Sequence, residues 1–173
     1  MSYSEQFIIK NRLLPGDAIL LRKKLVGMLD HFAVYLGRHP ETNEPIFAAN
    51  NFEGVEVIPT KKADIFLKKL VPEKIERFIG TPQERKSAIK RALSVPKGTK
   101  YNLITNNCEH YKNLVQYGRK YSPQVKNAGI GLLAAGGATA ITGLASKNKN
   151  VALIGAAGLV LGGILAGLAD QDD

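Results

Sequence analysis

Cysteine is almost absent: the chain of 173 residues holds one, Cys108. A lone cysteine excludes an intrachain disulfide and suits a reducing compartment. Histidine is nearly as scarce, so an imidazole base must be His31, His39 or His110. No Cys/His cluster has metal-ligand spacing, no glycine-rich phosphate loop follows a strand-like run, and no serine elbow occurs. Neither a metal nor a cofactor is expected. Residues 1–12 lack the apolar core of a secretory leader. Acidic side chains are also in the minority, 15 against 24 Lys and Arg. That excess is local. Residues 128–173 set Lys147 and Lys149 against Asp170, Asp172 and Asp173, net −1, which leaves +10 of the total +9 on residues 1–127.

The basic part includes Arg22-Lys23-Lys24, Lys61-Lys62, Lys68-Lys69, residues 86–91 and Arg119-Lys120. Such a surface calls for an anionic partner. No aromatic-interleaved nucleic-acid motif is present, so nucleic acid is not expected and an anionic lipid surface is.

What is present centres on Asn106-Asn107-Cys108-Glu109-His110-Tyr111. Downstream, Tyr111, Leu114, Val115 and Tyr117-Gly118 follow helical spacing with a glycine stop. An asparagine N-cap places Cys108 in the first turn, where unpaired amides and the helix dipole favour the nucleophilic thiolate. Its polar neighbours are unusual for a core residue, and a nucleophilic thiol needs a base. His110 lies two residues on, about 200° around the helix, and is expected to cap or pack locally. His39 falls in a turn-rich loop. His31 opens His31-Phe32-Ala33-Val34-Tyr35-Leu36-Gly37, a strand on which Phe32, Val34 and Leu36 form the better core face. His31 shares the mixed face with Ala33 and Tyr35, at the strand start.

Three blocks, Pro15-Gly16-Asp17-Ala18-Ile19, His31 to Gly37 and Asn107-Cys108-Glu109-His110-Tyr111, together resemble the lecithin:retinol acyltransferase-like family, relatives of the NlpC-type thiol hydrolases. Tyr117-Gly118 and Ser122-Pro123-Gln124-Val125, followed by an apolar tail, are similar to the HRAS-like suppressor phospholipase/acyltransferases. The resemblance covers residues 13–125, and the tail by analogy. It implies a Cys108 nucleophile that accepts the acyl group and a His31 general base. It also implies a polar third residue, often His, on the next strand to orient the imidazole. That position aligns with Ala48, a departure. Asn50 lies two residues on along the same face, and its amide oxygen can accept from an imidazole N–H. Asn50 is the expected third residue, ahead of Asn51 and His39.

Strands are expected over 18–22, 31–37, 44–50, 55–58 and 73–78, and a short helix over 61–67. Thr81-Pro82-Gln83-Glu84 reads as a capping box opening a helix to Ser94. The expected fold is α+β: a small antiparallel sheet with helices on one side and the nucleophile helix last. By the resemblance, this is the core of a papain-like thiol hydrolase in permuted order. Residues 1–125 form this domain and 126–173 a Gly/Ala-rich tail.

In the tail, residues 128–145 and 151–169 carry no charge over 18 and 19 positions. Each approaches the roughly 20 residues that span a bilayer, and the polar 146–150 between them makes a helical hairpin. Gly158, Gly162, Gly163 and Gly167 have the small-x-x-x-small spacing of self-associating membrane helices. Arg119, Lys120 and Lys126 against two turn lysines favour a cytoplasmic domain.

The expectation is a membrane-associated cysteine acyltransferase or hydrolase. A lipid supplies the acyl group, and water or a lipid amine or alcohol accepts it. Two rivals are a catalytically weak membrane module whose tail is the effector, and a thiol peptidase or deconjugating enzyme.

Overall fold

The computed structural model describes residues 1–22, 31–51, 53–96 and 99–171; Lys23, Lys24, Asp172 and Asp173 lie outside them. Two compact units emerge, Met1–Lys120 and Tyr121–Asp173.

The first unit is α+β. Its five-stranded sheet has the order β4-β3-β2-β1-β5, from β1 (Ala18–Arg22), β2 (His31–Arg38), β3 (Pro45–Asn51), β4 (Gly54–Ile58) and β5 (Val71–Glu76). All neighbouring pairs are antiparallel. The pairing of β2 with β3 shifts register between Tyr35 and Gly37, and Gly37 supplies the left-handed backbone there, at φ 105°. β5 begins and ends two residues before the expected strand. Arg77 and the Phe78 amide turn instead to the buried carboxylate of Asp17.

Helices cover both faces of the sheet, not one. The central strand explains the difference: His31 through Gly37 are all buried, so Ala33 and Tyr35 need cover as much as Phe32, Val34 and Leu36 do. Ala33 and Tyr35 join Ile8 of α1 (Tyr3–Asn11) and Ala63 and Leu67 of α2 (Thr60–Lys69). Phe32, Val34 and Leu36 join Ala88 and Ala92 of α3 (Pro82–Ser94) with Cys108, Tyr111 and Val115 of α4 (Cys108–Tyr117). The expected capping box on α3 is made, with Thr81 and Glu84 reciprocally bonded. α1 has no counterpart in the periodicity. It forms because its first amides find acceptors: Ser2 Oγ takes Glu5 N–H, and the Asp64 carboxylate takes Tyr3 and Ser4 N–H.

The second unit is a pair of helices, α5 (Pro123–Ala145) and α6 (Lys149–Leu168). Gly129, Gly136 and Gly143 on α5 and Gly155 and Gly162 on α6 recur every seven residues and are the buried positions, with Val125. The backbones touch there. A Cβ on Gly162 would lie 2.6 Å from the Leu133 nitrogen and 2.7 Å from the Gly129 oxygen. Gly158 and Gly162, expected to join copies of the chain, are thus occupied inside the hairpin; a Cβ on Gly167 meets nothing within 4 Å. Both helices are long and apolar enough to cross a membrane, with mean hydropathy 1.5 and 2.3, and only 17% and 11% of those windows is buried.

Candidate active site

Asparagines build the approach to Cys108. Asn102 Oδ1 accepts the amides of Ile104 and Thr105, and Asn102 and Asn106 bond each other's backbones. Asn106 Nδ2 donates to Lys100 O, and Asn107 Nδ2 to Leu103 O. This tight loop delivers Cys108 as the first residue of α4. Asn107 is the N-cap, its Oδ1 accepting from Glu109 N at 2.9 Å and His110 N at 3.0 Å. His110 Nδ1 accepts the Asn107 amide in return, the local capping its position predicts. Two of the first-turn amides expected to favour the thiolate are therefore already bonded to Asn107.

Cys108 is not partly exposed at a cleft: only 2% of it reaches solvent. Burial pushes its thiol up to about 11, against the downward pull of nearby backbone amides including that of Phe32. The helix terminus does favour the thiolate, but removing the sulfur from water outweighs it. The resting thiol is protonated at neutral pH. Tyr101, in the loop before the cysteine, is pushed up to about 12 by burial and then by its proximity to Cys108. The sequence signal for Tyr101 is a phenol seven residues before the only thiol.

His31 starts β2 beside Phe32, the residue whose amide meets Cys108. Its ring lies 6.0 Å from that of Phe66 on α2, tilted by 56°. His31 and Phe32 alternate across the strand, so the imidazole stands against α2 while Phe32 packs with Cys108 on the other face. Asn50 is fully buried, but its amide holds the nucleophile loop: Nδ2 donates to Asn106 O at 2.8 Å and Asn107 O at 3.3 Å. Asn50 Oδ1 has no hydrogen-bond partner among the described residues, so the expected bond to His31 is not made. The loop's carbonyls hold Nδ2 and so fix the amide's orientation, while its oxygen stays unused. Asn51 donates to Glu56, and His39 Nδ1 accepts from the amides of Glu41 and Thr42; both serve local turns.

The Pro15-Gly16-Asp17 block is structural. Asp17, 1% exposed, pairs with Arg77 at 2.8 Å and Arg85 at 3.2 Å and takes the amides of Leu14 and Phe78. From α4, Gln116 reaches Gly16 O and Glu76 O, and Lys112 Nζ pairs with Glu76 at 2.7 Å. These bonds fix α4 against β1 and β5. Arg91 of α3 holds the far end through Leu114 O and Val115 O. Among the described residues, no set of three His, Cys, Asp or Glu gathers as metal ligands.

Residues 48–121 match the family model of lecithin retinol acyltransferase. Over this stretch the chain is lecithin retinol acyltransferase-like. No curated protein matches the chain. The lecithin retinol acyltransferase-like stretch contains Ala48, Asn50, Tyr101 and Cys108; the blocks at His31 and Pro15-Gly16-Asp17 precede it. Acyl transfer and thiol hydrolysis are the chemistry of this family.

Burial pushes His110 down to about 4, with the charge of Lys120 adding to it. The neutral ring is the one that accepts the Asn107 amide. A value below the ordinary 6.5 means the native contribution is complete above pH 6.5 and is lost as pH falls toward 4. Urea unfolding across that window should show stability falling by more than about 1 kcal/mol. A His110→Gln variant should lose this slope; an unchanged slope would assign it to another group.

Proposed function

We propose that this chain is a membrane-anchored cysteine acyltransferase or hydrolase acting on phospholipid or another lipid ester. Cys108 is the nucleophile, His31 its base, and residues 126–173 the anchor of a catalytic domain over 1–125. The observation that carries the reading is the single thiol at the N-terminus of a capped helix inside the matched stretch. On substrate binding, the His31 ring leaves Phe66 and takes the thiol proton. The sulfur attacks the ester carbonyl, and the imidazolium returns the proton to the departing alkoxide. Water, or a lipid amine or alcohol, then attacks the thioester and frees the sulfur. Asn50 acts through the loop that aims the thiol, and Tyr101 supplies a phenol O–H beside the reacting carbonyl. Arg119, Lys120 and Lys126 around the start of the hairpin favour a cytoplasmic domain.

A second reading has its own support. Ala48 stands where the family carries a third polar residue, and the resting thiol is both buried and protonated. These favour a catalytically weak membrane module with the hairpin as effector. Intact-mass analysis after incubation with a short-chain phosphatidylcholine or an acyl thioester separates the two. The enzyme reading expects an acyl adduct on the wild type and none on Cys108→Ala. No adduct on either, with the fold intact, leaves the membrane module.

A further inference from the structure

The exposed face of α2 carries a feature that the acyl-transfer site does not use. Lys61, Lys62, Ile65, Lys68 and Lys69 are all exposed, and at 3.6 residues per turn they fall within an arc of about 120°. The opposite side, Ala63 and Leu67, is buried in the core. The helix is thereby fixed, and its lysines share a rigid platform. Ile65 stands in the middle of them at 65% exposure, where a face serving only solubility would carry a polar residue. The helix's one acid, Asp64, turns away to cap α1. Lys62 pairs with Glu56 and Lys68 lies over the Tyr3 ring, so among the described residues Lys61 and Lys69 are the cations of this face left for a partner. Four lysines on one face of an amphipathic helix suit a layer of anionic headgroups. A bilayer also accepts an isoleucine at its interfacial depth, whereas a nucleic acid offers that side chain no slot and this face offers bases no stacking ring.

We propose that the outer face of α2 docks the first unit onto an anionic bilayer, Lys61 and Lys69 meeting lipid phosphates and carboxylates while Ile65 enters the headgroup boundary. This rests on the membrane reading above, which brings the domain to a bilayer surface, and it names the surface that touches lipid.

The test uses the full chain, reconstituted in vesicles, with Cys108→Ala and Ile65→Cys carrying an environment-sensitive dye. Vesicles are phosphatidylcholine alone or phosphatidylcholine with phosphatidylserine, each doped with a shallow nitroxide lipid. Docking predicts quenching only in the serine-containing vesicles, reversed by high salt. Lys61→Gln with Lys69→Gln should lower the docked-to-undocked ratio by more than about tenfold; both sites are exposed, so an unchanged circular dichroism spectrum is expected. Equal quenching in both vesicles, or none in either, overturns the proposal. So does salt-sensitive RNA binding lost in the double variant without lipid quenching. Carbonate extraction of the same vesicles reports the hairpin separately. A retained chain without quenching sinks only the α2 face, and a stripped chain with salt-sensitive quenching sinks only the hairpin.

Discussion

Iodoacetamide should modify resting Cys108 about tenfold faster for each pH unit gained between neutrality and 11, because only the thiolate reacts. About one thiol in 10⁴ is ionised at neutral pH if its value lies four units higher. A thiol activated by its helix terminus alone would give a flat profile across this range, and that result would overturn the burial account. Stability moves the opposite way. The folded thiol titrates above its ordinary 9.0, so its contribution is complete below pH 9 and declines as pH rises toward 11. Under the proposed mechanism, turnover therefore requires substrate binding to favour the thiolate, with His31 taking the thiol proton. With a bound acyl donor the profile should shift to lower pH, and His31→Gln should abolish that shift while leaving the resting profile alone. Cys108→Ala should lower acyl transfer by about 10⁴-fold or more, at a stability cost of about 1 kcal/mol for one small buried group.

The contrast between expectation and structure at this site has a physical basis. Periodicity and capping are local, so the start of α4 at Cys108, the Thr81 box and all five strands within two residues could be read from the sequence. Burial is not local. Whether Cys108 lies at a cleft or under Phe32 depends on where α4 lands on the sheet, and bonds from Lys112 and Gln116 to β5 decide that. Asn50 was expected to take the His31 ring, but its Nδ2 turns to two carbonyls of the nucleophile loop, a contact across 56 and 57 residues that spacing does not show. The two-sided sheet was missed for a related reason. Alternation on β2 singles out the bulkier face, while Ala33 and Tyr35 gain cover from α1, a helix made by Asp64 some 60 residues away.

The hairpin provides the other large effect. Leucine at Gly136 should splay α5 from α6, because the new Cβ would lie 2.6 Å from the Leu159 nitrogen, 2.7 Å from the Gly158 carbon and 2.8 Å from the Gly155 oxygen. All three are backbone atoms, so no side chain can swing aside, and the cost should exceed about 3 kcal/mol. A Cβ at Gly131 meets nothing within 4 Å, so leucine there should leave the pair closed while adding apolar surface suited to lipid. Spin labels on cysteines at the exposed positions Ile141 and Leu153, in a Cys108→Ala chain reconstituted in vesicles, read the separation directly. The parent and Gly131→Leu should share one short, narrow distance distribution, and Gly136→Leu should give a broad, longer one. Each helix satisfies its own backbone hydrogen bonds, so the splayed pair should still resist carbonate extraction. Release of the parent chain by carbonate would mean that the exposed apolar surface of α5 and α6 is covered by protein, and the bilayer anchor would be refuted.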